Sequence, residues 1–300
     1  MKKNHSSSML QGQLFGFLGV LGFSLTLPAT RVAVDSIDAT ILGLGRALVA
    51  AVFAGIVLFV RRKPWPNKTQ CKRLIWDAVG VVIGFPFFST WAMQYVPASH
   101  GAVVLGVLPL VTALLGRVRS HERPSGLFWL SSAGGSIVVV AFALRAGGGS
   151  VHIADLALLA AIVCAAVGYA EGGHLAREMG GWQVICWALL MAAPVLVFPV
   201  GLALWRHGFS PTPLGGLGFL YVSLFSMFLC FFAWYHGLAL GGIARVSQIQ
   251  LLQPFLTLGF SVLLLHESVG PAALVAAGFV TLSLILSRKA SVLRPLLEKG

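Results

Sequence analysis

Long apolar runs separated by short polar connections set the pattern of this chain. Ten runs of about 17–22 residues can be drawn, rich in Leu, Val, Ala, Phe and Gly. Each has the length that an α-helix needs to cross a bilayer core of about 30 Å, and none alternates with the period of two typical of barrel strands. Since only helices and closed barrels satisfy every backbone polar group in lipid, the pattern predicts an all-α, polytopic membrane protein with ten transmembrane helices.

The connections between the predicted spans are short, so we expect consecutive helices to be antiparallel neighbours. The spans cover 12–31, 39–60, 74–95, 100–117, 125–144, 154–174, 182–205, 214–236, 244–265 and 271–287. The stretch 61–73 is the only hydrophilic connection of any size, and it is too short to form a domain. The glycine-rich stretch 147–150 predicts a flexible hinge. The chain therefore divides into a first domain, 1–146, and a second, 147–300, which ends in a short tail.

One stretch of sequence occurs twice in the same register, 145 residues apart. The first copy contains Pro109, Thr112, His121 and Glu122, and the second contains Pro254, Thr257, His266 and Glu267. Because each half has five spans, an odd number, the second half must cross the membrane in the opposite sense. Inverted repeats with interrupted helices are typical of secondary transporters, in which the halves exchange shapes to open a site alternately to each side. Duplication within a structural membrane protein is the alternative.

Composition agrees with a membrane protein and narrows its function. Charged residues make up 10% of the chain, against about a quarter in soluble proteins. The net charge of +12 lies in the connections rather than on one basic face, which argues against a nucleic-acid partner. Neither a cysteine pairing, a metal-ligand spacing, a phosphate-binding loop nor a nucleophile elbow is present, so we predict no metal, no cofactor and no enzymatic activity.

The distribution of Lys and Arg predicts the orientation. With the N-terminus in the cytoplasm, the inner side holds 17 of them and the outer side only Arg31, Arg145 and Arg206, while Arg46 lies within a span. The excess on one side predicts an inner (plasma) membrane protein with both termini in the cytoplasm. Lys2 and Lys3 precede the first span without a small-residue cleavage site, so we expect that span to be a retained helix.

These features resemble the drug/metabolite transporter superfamily, in particular its ten-helix group built from two EamA-type repeats. The resemblance rests on the two Pro…His-Glu stretches, on the glycines after them (Gly134, Gly135 and Gly278), on the first helix ending at 22–31 and on Leu44-Gly45-Arg46. It implies ten helices around a central cavity, which helices three, four, eight and nine line together with one and six, while five and ten lie outside. It implies export of amino acids, other metabolites or drugs, and some relatives move nucleotide sugars or lipid-linked sugars.

The sixth span departs from this resemblance. Its segment 168–174 is more polar than the apolar and aromatic pattern usual there, which puts in doubt any transfer of substrate from better-known members. Glu171 in this segment is the sharpest functional candidate, since a carboxylate within a span usually faces a cavity, pairs with a cation or relays protons. The alternative is an interfacial Glu171 paired with Arg177 or capped by His174.

A second group of candidates supplies polar contacts and hinges. Arg46 could hold a substrate carboxylate, or it could be structural, bridging backbone carbonyls or pairing with Asp35 or Asp38. Gln250 and Gln253 share one helix face and could bind a polar ligand or join helices. The prolines Pro28, Pro109 and Pro254 interrupt their spans and are candidate hinges for gating.

Aromatic residues supply candidates for an apolar cavity wall. They are Phe87, Phe88, Trp91, Tyr169, Trp234 and Tyr235. The Trp and Tyr side chains have a second interpretation as residues of the interfacial belt. The sequence as a whole predicts a secondary transporter that exports small metabolites, above all amino acids, with protons as a candidate coupling ion. Efflux of cationic, lipophilic drugs and flipping of lipid-linked sugars are the alternatives.

Overall fold

A computed structural model describes residues 2–120, 130, 134, 137–138, 141–142, 145, 152–242 and 246–289. Within these ranges the chain forms helices and their connections, and no strand occurs in them. The helices whose bounds the structure describes are α1 Lys2–Ser24, α2 Thr26–Val34, α3 Ile41–Val60, α4 Lys68–Ala92, α5 Ala98–Leu105, α6 Leu108–Ser120, α7 Ile153–Met179, α8 Gly181–His207, α9 Pro213–Gly241, α10 Gln253–Leu265 and α11 Pro271–Lys289. The all-helical prediction is confirmed for the described residues.

Six stretches of helix are long and apolar enough to cross a membrane, at the positions of predicted spans one, two, three, six, seven and eight. Shorter apolar stretches occupy the positions of spans four, nine and ten: Ala98–Thr112, which runs from α5 into α6, Gln253–Leu265 and Pro271–Leu282. Most of the predicted fifth span, the hinge at 147–150 and the first His-Glu pair, His121 and Glu122, lie outside the described residues. The count of ten helices therefore stays a prediction.

Helix α4 begins six residues before the predicted edge of the third span. Asn67 accepts a hydrogen bond from the Gln70 backbone N–H at 2.9 Å, and the Gln70 side chain accepts one from the Asn67 N–H at 3.1 Å. This reciprocal capping box satisfies two of the backbone donors that a helix start leaves without partners. The hydrophilic connection is therefore shorter than 61–73, and its second part is the first turn of α4.

The predicted fourth and ninth spans are not single helices, because each is interrupted at its proline. The chain leaves α5 at Leu105 and begins α6 at Leu108, so Pro109 is the second residue of the new helix. Likewise, a 3₁₀ segment, Ser247–Leu252, precedes α10, in which Pro254 is the second residue. A proline is tolerated in the first turn because its missing N–H has no intrahelical partner there.

The two interruptions touch each other. A Cβ atom built on Gly106, in the first interruption, would lie 3.4 Å from the Pro254 side chain in the second. The first predicted span is interrupted in a similar way at Leu25, and Pro28 follows in the first turn of α2. All three candidate hinge prolines therefore lie just after a break in a helix, and the four-residue hydrogen-bonding pattern is already broken at those points.

Three π-helical segments widen other helices: Ile41–Gly45 in α3, Ala78–Gly84 in α4 and Tyr221–Leu229 in α9. Shifting Ala78–Gly84 by the 145-residue repeat brings it inside Tyr221–Leu229. Both helices are the third predicted span of their half. The repeat thus extends to an irregular feature of the backbone that no single residue type encodes, and π-helical turns are frequent at functional sites.

The helices of the two halves interlock through glycines. Helix α1 packs along α9, where Cβ atoms built on Gly12 and Gly237 would meet backbone atoms of the other helix at 2.5 and 2.7 Å. Helix α7 packs along α4, where a Cβ on Gly80 would lie 2.5 Å from the Cys164 carbonyl oxygen. In both pairs, the first span of one half lies against the third span of the other. Small residues let helices in lipid approach closely enough to gain van der Waals contacts.

Candidate functional site

A narrow cavity lies where the interrupted and π-helical segments meet. Its walls come from every described helix except α8 and α11, through Phe23, Thr26, Leu27, Arg46, Val81, Phe85, Leu105, Leu108, Tyr169, Ser226, Met227, Phe231 and Gln253. The room for the centres of water molecules inside it is about 20 Å³. That volume holds about one water, so a metabolite fits only after the helices move apart.

Arg46 is the one charged residue in the cavity wall described here. It follows directly on the π-helical turn Ile41–Gly45 and is 1% exposed. Its Nε and Nη2 atoms are buried without a hydrogen-bond partner. The predicted alternative partners are engaged elsewhere: Asp35 pairs with Arg31 at 2.5 Å, and Asp38 accepts the backbone N–H of Thr40 at 2.8 Å. A buried guanidinium with unused donors is suited to an anionic group such as a carboxylate.

Further polar groups line the same cavity. The hydroxyls of Thr26 and Ser226 are hydrogen-bonded to each other at 2.8 Å, and Gln253 and Tyr169 complete the polar part of the wall. Gln250 lies in the 3₁₀ segment and Gln253 is the first residue of α10, and only Gln253 is among the residues that line the cavity. The Gln250 amide is buried, near Tyr169, without a hydrogen bond of ordinary geometry.

Aromatic rings make up part of the apolar wall, and Trp234 and Tyr235 pack against these rings without lining the cavity themselves. Phe23 lies 5.0 Å from Phe231 between ring centroids, and Tyr169 lies 5.4 Å from Trp234. Tyr235 adjoins the group at 5.3 Å from Phe231. Trp234 and Tyr235 are fully buried in the protein, which places them in the interior rather than in an interfacial belt. The wall can therefore contact a flat or aliphatic group.

The aromatic candidates of the third span lie apart from this cavity. Phe87 is 38% exposed and packs edge-on against Phe88, with the ring centroids 5.3 Å apart. Trp91 is half-buried and packs against Tyr95. The corresponding aromatic stretches of the two halves thus differ in environment, and only Phe85 of the first stretch reaches the cavity.

Asp77 is a buried carboxylate that the sequence analysis missed. It is 0% exposed in α4, one turn before Val81 of the cavity wall. The Tyr235 hydroxyl donates a hydrogen bond to its Oδ1 atom at 2.5 Å, and its Oδ2 atom has no partner. A span predicted to begin at 74 puts Asp77 in its first turn, where an acidic residue is unremarkable. The capping residues Asn67 and Gln70 were the sequence signal that would have started the helix earlier and placed Asp77 farther inside it.

Glu171 is also buried, at 4% exposure, on the same helix as Tyr169. It is not among the residues that line the cavity. Charged residues near the end of α7 are paired with one another and with α4: Glu178 lies 3.6 Å from His174 and 3.3 Å from Arg73. The cavity's charge therefore comes from Arg46, with Asp77 and Glu171 as buried carboxylates in the surrounding helices.

Comparison with known proteins identifies the family. The sequence pattern described as "EamA-like transporter family" matches the chain twice, at residues 10–144 and 152–288. The chain is 45% identical over 279 residues to an uncharacterized transporter, YdeK, from Bacillus subtilis (strain 168), covering 93% of this chain and 96% of that protein. It is 27% identical over 281 residues to a probable terminal-alkyne amino-acid exporter from Streptantibioticus cattleyicolor, covering 90% and 92% of the two chains.

A solved crystal structure shares the fold. The TM-score is 0.65 and the match covers 96% of this chain and 99% of that chain, at 19% sequence identity. The family and the relatives named above are transporters rather than enzymes. The chain therefore belongs to the EamA-like transporter family, as a multi-pass membrane transporter with two copies of the family's repeat.

Proposed function

We propose that this protein exports amino acids, or closely related carboxylate-bearing metabolites, across the inner membrane by alternating access. The observation that carries the proposal is Arg46, a fully buried guanidinium with unused donors in the wall of a cavity that is otherwise aromatic and weakly polar. The relative named as a probable terminal-alkyne amino-acid exporter supports a substrate of this class.

The site favours a carboxylate at one end of the substrate and an apolar group at the other. Arg46 would donate hydrogen bonds to the carboxylate, and Gln253 with the hydroxyls of Thr26 and Ser226 would contact the remaining polar atoms. The rings of Phe23 and Phe231 would hold the side chain. A buried charge is stabilised only when it is paired, so the substrate itself would supply the counter-charge that Arg46 lacks.

The alternating mechanism uses the two halves, 1–146 and 147–300, as ten helices in inverted repeats with both termini in the cytoplasm. The contact between Gly106 and Pro254 supports a pivot where the two halves meet. Proteins with such repeats rock one half against the other around a fixed site. Pro28, Pro109 and Pro254 would be the hinge positions, since each follows a break in its helix.

Efflux of cationic, lipophilic drugs is the second candidate function. The aromatic wall and the buried carboxylates Asp77 and Glu171 favour it. However, neither carboxylate lines the cavity, whereas Arg46 does and would repel a cation. The charge that reaches the cavity thus favours an acid over a base, and we place drug efflux second.

A ligand panel tests the proposal through Arg46. The purified protein is screened by thermal stabilisation against apolar amino acids, including a terminal-alkyne amino acid, against the amines that lack only the carboxylate, and against lipophilic cations. We expect stabilisation by the amino acids alone. Arg46→Gln should weaken the apparent affinity about 30-fold or more, the change that corresponds to about 2 kcal/mol for removing one partner of a buried charge pair.

Arg31→Gln is the matched control, because Arg31 is a partly exposed arginine outside the cavity, paired with Asp35. It should leave the affinity unchanged. Efflux of the stabilising compounds from proteoliposomes then checks transport itself. Equal stabilisation by the amines, or an unchanged affinity in Arg46→Gln, would contradict a carboxylate site and favour drug efflux.

A further inference from the structure

Helix α5 is a short helix that reaches the cavity wall at one end. All eight of its residues, Ala98–Leu105, are buried. Its last residue, Leu105, lines the cavity, and its other end belongs to the face predicted to be outer from the distribution of Lys and Arg. The helix thus lies between the cavity and that face.

The start of α5 is capped by a residue far away in the sequence. Pro97 precedes the helix and provides no side-chain cap. The Glu267 carboxylate takes this role, accepting the backbone N–H of Ala98 with Oε1 and that of Ser99 with Oε2, both at 2.9 Å. The first N–H groups of a helix have no intrahelical acceptor, and hydrogen bonds to a carboxylate are about twice as strong as neutral ones.

The second His-Glu pair explains how Glu267 reaches α5. His266 ends α10 with a left-handed backbone conformation, φ 52°. The Glu267 N–H then bonds back to the Ser261 carbonyl oxygen at 3.3 Å, and its side chain turns to α5. A left-handed residue is a common way to end a helix and redirect the chain. The turn that defines the sequence repeat therefore places a carboxylate on the other half of the molecule.

A second contact ties the same turn of α5 to the other half. His100 Nε2 lies 2.6 Å from Asp155 Oδ1 at the start of α7, and both side chains are buried. Asp155 Oδ2 in turn accepts the His152 backbone N–H at 3.1 Å. Glu267 and Asp155, both in the second half, thus bind the first three residues of α5. The other end of α5 adjoins the contact between Gly106 and Pro254.

We infer that Glu267 is the latch of the outer gate, holding α5 over the cavity and releasing it when the cavity opens to the outer face. The inference rests on the proposed alternating access. Loss of the cap leaves two N–H groups at the helix start without their acceptor and removes a link between the halves. Helix α5 can then rotate about Gly106, where the helix is already interrupted, and expose the cavity.

Thiol labelling in intact cells tests the latch without an added substrate. The four native cysteines, Cys71, Cys164, Cys186 and Cys230, are replaced by serine or alanine, and Met227→Cys places a single thiol in the cavity wall. A membrane-impermeant maleimide is added from outside. We expect Glu267→Ala to raise the labelling rate about tenfold, the population change that corresponds to 1.4 kcal/mol. Glu267→Gln, with one acceptor oxygen and no charge, should give a smaller rise.

Two controls separate gating from general loosening. Glu178→Ala removes an exposed carboxylate at the other end of α7 and should leave the rate unchanged. A chain that keeps only the fully buried Cys186 reports unfolding, and its labelling should not rise in Glu267→Ala.

The latch is contradicted if Glu267→Ala does not raise the labelling rate of Met227→Cys, or if it raises the labelling rate of Cys186 equally. It is also contradicted if the rise occurs only in inside-out vesicles. Failure of the ligand panel would refute the proposed substrate class while leaving these labelling results as they are.

Discussion

The buried polar side chains of this transporter differ in how their hydrogen-bonding groups are satisfied. Arg46 has unused donors in the cavity, whereas Asp77 shares one oxygen with Tyr235 and keeps the other without a partner. An ionisable group inside a membrane is costly, so it is kept where it serves binding or coupling. Arg46 therefore suits binding, and Asp77 is a candidate for exchanging protons.

Asp77→Asn tests proton coupling at this residue. The asparagine keeps the shape of the side chain and an oxygen that can accept from Tyr235, but it can neither bind nor release a proton. We expect efflux from proteoliposomes to lose its response to an imposed proton gradient, with the protein folded as before. Glu171→Gln, measured in parallel, is the comparison for the other buried carboxylate. A gradient response that survives in both variants would show that neither residue couples protons.

The residue scale was only partly accessible from the sequence. Arg46, Tyr169 and Gln253 could be predicted as site residues because a polar or aromatic residue stands out in an apolar stretch of sequence. The structure places all three in one cavity wall. Phe87 was equally visible but points away, since the side of a helix that faces the protein depends on its neighbours. Asp77 was missed because its helix begins six residues before the predicted edge of the span.

Helices pack in this protein by close approach of glycine-lined faces. Gly237 in α9 has Gly12 and Gly16 of α1 opposite it, and a Cβ there would lie 2.7 Å from a backbone nitrogen. Backbone atoms cannot move aside as the end of a side chain can. The contact therefore depends on the absence of a side chain at this position.

Gly237→Ala should destabilise the protein by about 1–3 kcal/mol, the usual cost of overpacking a well-packed interior. Gly201→Ala in α8 is the matched control, because a Cβ there meets nothing within 4 Å. The control should be neutral or stabilising, since alanine is a better helix former than glycine. Thermal unfolding followed by fluorescence-detected gel filtration measures both. A similar melting temperature for Gly237→Ala and the native protein would contradict the close approach.

The interruptions at the prolines were predicted from the sequence, but their form was not. A proline in the middle of a span indicates a break, yet it does not say whether the preceding residues stay α-helical. Residues 247–252 form a 3₁₀ segment, whereas the matching stretch before Pro109 ends in a turn at Gly106. The π-helical turns were not predicted at all, since they depend on packing between helices rather than on residue type.

At the scale of the whole molecule, the surface indicates that the helices lie in a membrane. Large apolar side chains are exposed around the helices, with Phe198 at 76% and Phe59 at 84% exposure. Such a surface is suited to lipid rather than water. The bundle and its all-helical class followed from hydropathy alone, whereas the inverted orientation of the halves stays a prediction.

Labelling of single cysteines tests that orientation. Ser268→Cys, next to the second His-Glu pair, should react with an impermeant maleimide in intact cells, since its connection is predicted to be outside. Lys72→Cys, exposed near the start of α4, should react only in inside-out vesicles. Both variants use the background without native cysteines. Reaction of both thiols from the same side would contradict the inverted arrangement.

The interlocking of first and third spans has a consequence for biosynthesis. Helix α1 finds its glycine-matched partner only in α9, some 210 residues later in the chain. At about 5–20 residues per second, a ribosome needs roughly 10–40 s to reach that point. During this interval the newly inserted α1 must wait with its packing face turned to lipid or to the insertion machinery. A ribosome that stalls between the halves would leave a first half in the bilayer whose α1 has no packing partner, and quality-control proteases should remove this fragment quickly.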